Sequence, residues 1–154
     1  MRAVITLAIL AIGANAVELS IEPGALSPGK PLSLALKLAT GADAPTGIQF
    51  DLEYDAASLD IAIEAGPAAA QAGKNLRAAK TAAGTQRVLI IGFNRNAMTD
   101  GVLARLRITC LGQAAGRTFP IHITAASATN RKAETVPVTG KDGGVKVESE
   151  GNGQ

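Results

Sequence analysis

The sequence predicts an all-β domain, a two-sheet antiparallel sandwich of jelly-roll type with about nine strands. Three observations carry that prediction. Apolar residues recur at every second position through many short segments, which a half-buried strand satisfies. Turn-forming residues separate these segments at short, regular intervals, and no stretch is patterned as a long helix. The composition agrees: 47% of the 154 residues are hydrophobic but only 3% are aromatic, so the core has to be assembled from Leu, Ile, Val and Ala. One domain of this length buries a core without cross-links, and the single cysteine makes no internal disulfide.

Residues 1–16 read as a secretory signal. Arg2 precedes an apolar run from Ala3 to Ala14, and Ala14-Asn15-Ala16 has the small-x-small form of a cleavage site. The run is too short to span a bilayer. The mature domain, residues 17–148, is therefore expected in the periplasm or the medium, with no membrane contact after cleavage and with 149–154 as a disordered tail.

Val17 to Ile21 alternates as a first strand, broken at Glu22-Pro23-Gly24. Ser27 to Pro31 is a rigid turn, and Leu32, Leu34, Leu36 and Leu38 mark a second strand with one wet face. The central element is Gly47 to Tyr54. Ile48, Phe50, Leu52 and Tyr54 face the core, Gln49, Asp51 and Glu53 face outward, and Asp55 opens the turn toward a strand at Leu59 to Glu64. Pro67 starts a short helical turn in an alanine-rich stretch. Lys74 to Arg87 reads as an exposed hairpin or loop whose charge is a solvated face. Val88 to Phe93, apolar throughout, is a strand covered on both sides or one whose outer face meets something else.

After a loop from Asn94 to Gly101, the longest strand runs from Val102 to Leu111, with Ala104, Leu106, Ile108 and Cys110 inward. Gln113 to Arg117 is a turn. Phe119, Ile121 and Ile123 mark another strand and leave His122 outside. Ala125 to Asn130 and Val136 to Val138 are short strands, Asp142-Gly143-Gly144 is the last tight turn, and Val145 to Glu148 is the closing strand.

Few residues carry chemistry. A charge of +2 without a basic run or basic and aromatic interleaving argues against nucleic acid. The lone His122 lies in mid-strand, and no nucleophile-elbow sequence accompanies it, so a catalytic triad is not supported. His122 and Cys110 on opposite faces do not converge on a metal. Asp51 and Glu53 have the spacing of a general acid and base, but the sequence supplies neither a cleft nor aromatic walls for a sugar. Cys110 reads as a buried small hydrophobe. No enzyme activity, resident metal or cofactor is expected.

Four passages, Gly47 to Ile61 (GIQFDLEYDAASLDI), Arg87 to Phe93 (RVLIIGF), Thr99 to Leu111 (TDGVLARLRITCL) and Asp142 to Val147 (DGGVKV), resemble the cohesin domain in their order and spacing. The resemblance covers nearly all of Val17 to Glu148. It implies a nine-stranded jelly roll with one flat sheet face that binds a dockerin, a small calcium-loaded helical module attached to a polysaccharide-degrading enzyme. Any calcium would thus belong to the partner. On this chain that face would include Gln49, Asp51, Leu89 and Ile91, with a polar contact from Asn94. One domain after the leader is expected to be an adaptor for an extracellular protein, or equally a cohesin-like fold with another ligand, rather than a many-sited scaffold. The alternative is a carbohydrate-binding module of the same fold; one Tyr and three Phe do not make the coplanar row that crystalline polysaccharide needs, which leaves a polar glycan groove. A structural subunit that donates or accepts an edge strand is a further alternative.

Overall fold

The computed structural model describes residues 16–112 and 116–148. The expected signal segment up to residue 15, the start of the expected turn at 113–115 and the expected tail at 149–154 lie outside the described residues. Among the described residues, the chain runs β1 (Val17–Ile21), β2 (Gly24–Leu26), β3 (Leu32–Ala39), β4 (Gly47–Glu53), β5 (Leu59–Ala65), α1 (Pro67–Gln71), β6 (Asn75–Ala82) and β7 (Thr85–Ile91). It continues with β8 (Gly101–Cys110), β9 (Thr118–Thr129), β10 (Thr135–Val136), β11 (Val138–Lys141) and β12 (Gly143–Val147).

Two sheets form the expected sandwich. One has the order β11-β1-β3-β8-β5, the other β2-β12-β9-β4-β7-β6, with β10 paired to β9. Most pairings are antiparallel; β1 with β11 and β12 with β2 are parallel, so both sheets are mixed. The reason is a shared corner. The first passage crosses from one sheet to the other at Glu22-Pro23, where proline offers no amide to the ladder, and the last crosses beside it at Asp142. With β1–β2 and β11–β12 each counted as one passage, and the two-residue β10 set aside, the strands number nine.

That corner corrects the sequence reading at two places. The break after Ile21 is only two residues long, because β2 resumes at Gly24. Gly143 and Gly144 are not a turn but the start of β12, and glycine is there for closeness rather than reversal. A Cβ on Gly143 would lie 2.6 Å from the Ile21 Cβ and 2.9 Å from its carbonyl oxygen. Gly143→Val should therefore force the passages apart and lower stability by about 1–3 kcal/mol, the usual cost of overpacking, measurable by urea titration.

The core lies between the sheets and is aliphatic around Phe50, with Leu36, Leu52, Ile90, Leu106 and Ile108 fully buried. Two bulges explain where alternation was misread. In β8, register shifts opposite Leu36/Lys37, so Leu103 and Ala104 are both buried. In β9, register shifts opposite Gln49/Asp51 and Ala125 takes φ 48°, which moves the inward set from Ile121 and Ile123 to Ala128. Ala125 to Asn130 is thus no separate strand; most of it continues β9. Cys110 packs half-buried against the core, as its position in the alternation predicts.

Polar ties hold the layers. Gln86 of β7 is buried and its Nε2 donates to the Ile61 carbonyl of the opposite sheet at 2.6 Å and to the Tyr54 hydroxyl at 2.7 Å. Asp100, just before β8, accepts from the Thr40 amide at 2.7 Å and the Thr40 hydroxyl at 2.8 Å. Those bonds favour the charged carboxylate and hold Asp100 below its ordinary pKa. The stabilisation is fully present above the unfolded-chain value of about 3.9 and is lost as pH falls through the lower folded value. Asp100→Ala should melt earlier than the parent at pH 7, and thermal scans in acid should show the gap narrowing as the pH falls below the unfolded-chain value.

Candidate functional site

The hairpin β6–β7 turns at Ala83-Gly84, where Gly84 takes φ 79°, and lays β7 against the central β4. The outer surface of β9, β4, β7 and β6 is then a four-strand face with side chains in register. Ser127, Gln49, Leu89 and Arg77 form one row across it, and Thr124, Asp51, Arg87 and Ala79 form the next. Ile91 lies opposite Asn75, with Gly47 beside it in β4. Because Gly47 has no side chain and Ser127 a small one, Gln49, Leu89, Ile91 and Thr129 border a shallow, mostly apolar depression at the end of this face where β4 begins and β7 and β9 finish.

Four of the five residues singled out in the sequence share this surface. Gln49 and Leu89 are direct cross-strand partners, and Ile91 is about half exposed. Asp51 is not an open carboxylate, however. It is only 7% exposed, and Arg87 grips it with Nε to Oδ1 at 2.9 Å and Nη2 to Oδ2 at 3.1 Å. This pairing raises the Arg87 pKa and keeps both charges in place. Both Asp51 oxygens are thus occupied by Arg87, and the face is largely neutralised there.

Asn94 is placed differently. It lies in the loop beyond β7, and its amide is used inside the protein: Oδ1 accepts from Lys74 Nζ at 2.7 Å and from the Asn96 amide at 3.0 Å. Lys74 corrects the reading of that stretch as solvated, since it is only 5% exposed and burial lowers its pKa. Arg87 and Lys74 were both missed for one reason. Their partners, Asp51 and Asn94, are distant in sequence, and only strand register brings them together.

Catalytic alternatives find no support in the geometry. His122 Nδ1 lies 2.8 Å from Asp142 Oδ2, and Asp142 Oδ1 accepts the Ile123 amide at 2.9 Å. These bonds hold Asp142 below its usual pKa and tie the corner between β11 and β12 to β9. Among the described residues, His122 has no further side-chain partner that would serve as a nucleophile. No group of three or more His, Cys, Asp or Glu among the described residues is placed to hold a metal, and no described helix is long and apolar enough to cross a membrane.

A family model described as "Cohesin domain" matches residues 17–147. Among solved structures, the chain is similar to the sixth cohesin of scaffoldin B from Acetivibrio cellulolyticus, solved in complex with a mutant Cel5 dockerin. The TM-score is 0.76 at 23% identity, covering 87% of this chain and 100% of that one. The Coh-OlpA–Doc918 complex of Clostridium thermocellum, a type I cohesin–dockerin complex, matches at TM-score 0.77 and 17% identity, over 86% of this chain and 99% of that one. A non-cellulosomal cohesin from the archaeon Archaeoglobus fulgidus matches at TM-score 0.70 and 14% identity, over 87% and 92%. No curated protein matches the chain in sequence. At these identities the structural likeness shows a shared fold.

Proposed function

The chain belongs to the cohesin family, whose domains are non-catalytic protein-binding modules, and from that premise we propose that it binds a dockerin-type partner through the outer face of β9, β4, β7 and β6. The observation that carries this reading is the composition of the face. It has an apolar patch at Leu89 and Ile91, hydrogen-bonding groups around it at Gln49, Ser127 and Thr129, and the nearest acid in the next row, Asp51, already paired with Arg87. Such a surface suits a helical partner that buries a few apolar anchors within a ring of hydrogen bonds. Solved neighbours in complex with dockerins support the choice of partner class.

In this reading the protein is exported by its leader and serves an extracellular assembly linked to polysaccharide degradation, with calcium carried by the dockerin. Gln49, Leu89 and Ile91 make the contacts, Asp51 fixes Arg87 below them, and Asn94 organises the adjoining loop. A carbohydrate-binding role is disfavoured by the fate of the aromatics. Phe50 and Phe119 are buried and Tyr54 is half-buried, so Phe93 stands alone at the surface.

The test is affinity capture of the producing cell's exported proteins on the immobilised chain, with calcium and then with a chelator. Retention of a dockerin-bearing enzyme, released by the chelator, supports the reading. Absence of any retained protein, with the chain instead retarded by soluble glycans, contradicts it.

A further inference from the structure

Phe93 is fully exposed, and with Ile91 it is one of three large hydrophobic residues among the described residues that are largely open to solvent, Leu111 being the third. An exposed apolar residue by itself is ordinary, but a fixed aromatic ring continuous with other exposed apolar side chains marks a contact surface. This one is held. Lys74 Nζ donates to the Asn94 carbonyl at 3.0 Å and to Asn94 Oδ1 at 2.7 Å, while Asn94 Nδ2 and Asn96 Nδ2 reach back to the Gly73 and Ala72 carbonyls, each at 3.4 Å. Gly92 makes the clamp possible: a Cβ there would come within 2.7 Å of the Gly73 carbonyl oxygen. The residues on either side of Phe93 are thus stapled to the turn before β6, and the ring is presented on a fixed base.

Position supplies the second observation. Ile91 borders both the depression beside Leu89 and a second cleft with Phe93, Asn75 and Arg77. Leu89, Ile91 and Phe93 therefore make one apolar strip that runs off the end of the sheet. The surroundings are basic. Arg77 lines the cleft on one side, and Arg95, Arg131 and Lys132 line a neighbouring hollow on the other, where Arg131 Nε donates to the Arg95 carbonyl at 3.0 Å.

We propose that Phe93, aimed by the Lys74–Asn94 clamp, is an aromatic anchor that selects a dockerin-type partner carrying an apolar socket bordered by carboxylates; this rests on the face assignment above. A rigid ring loses little entropy on docking, and surrounding cations steer an acidic partner to it. Lys74 acts through the loop and is a positioning residue.

The test titrates the calcium-loaded dockerin module recovered by affinity capture into the full chain, by calorimetry. Phe93→Ala should weaken binding by about 10- to 100-fold with an unchanged melting temperature, and Phe93→Leu should fall between. Lys74→Met should weaken binding in the parent background and have no further effect on top of Phe93→Ala, whereas a general structural defect would add in both. Arg77→Gln should flatten the loss of affinity with rising salt. Unchanged affinity for Phe93→Ala while Leu89→Lys abolishes binding overturns the anchor alone. Unchanged affinity for both, or no dockerin recovered at all, overturns the face assignment and the anchor with it.

Discussion

Phe50→Ala should cost about 3–5 kcal/mol of stability, the largest effect of any single side-chain truncation in this domain. Phe50 sits mid-way along β4, the strand at the centre of its sheet, opposite Val88, and it is completely buried. The ring has no replacement. Apart from Phe119, the remaining buried core is Leu, Ile, Val, Ala and Met, packed from two sheets whose registers are tied by Gln86 and by the corner at Gly143, so the walls have little freedom to collapse into the space. The transfer free energy of the ring is lost and a cavity remains. For a chain of this size each kcal/mol shifts the melting temperature by about 2–4 °C, so a fall of about 10 °C is expected. Phe50→Leu should lose much less. A loss below about 1 kcal/mol for the alanine variant, measured by chemical denaturation, would mean that the sheets close over the gap and that Phe50 is not the keystone of the core.

Leu89→Lys should leave the fold intact and reduce affinity for a dockerin by about 100-fold or more. The position is half-buried on the face, in register between Gln49 and Arg77. In the free protein the long stem of lysine lies along the surface with its ammonium in water, so the stability change is small. In the complex the same ammonium would be pressed into the apolar patch, beside the Arg77 guanidinium, and the acid of the next row, Asp51, is already held by Arg87. An unpaired charge buried at an interface costs several kcal/mol, and the loss should be seen mainly as faster dissociation. Circular dichroism and melting curves that match the parent would separate this from unfolding.

The fold was readable where alternation is unbroken. Leu32 to Leu38 and Ile48 to Leu52 declare their inward faces residue by residue, and Pro67 marks a helix start by local chemistry. Reading failed where one extra residue resets the period, as at Leu103 and Ala125, since a bulge is defined by its partner strand and leaves little local trace. It failed again at Gly143, where a glycine needed for close approach has the same letters as a glycine needed for a turn. The face followed from alternation in two strands, which puts Gln49 and Leu89 outward without specifying that they meet. What alternation does not contain is which charges are spent. Asp51 and Lys74 look like solvated surface in the sequence and are satisfied, largely buried groups in the fold, and the presentation of Phe93 depends on the second of these.

The most direct test of where this domain binds is hydrogen exchange on the full chain, with and without a saturating calcium-loaded dockerin. Binding through the proposed face predicts slowed exchange concentrated in β4, β7, β6 and the second half of β9, with the outer sheet of β3, β8 and β5 unchanged. Protection centred on β3, β8 and β5, around Ala35 and Arg107, would place the partner on the opposite sheet and contradict the account.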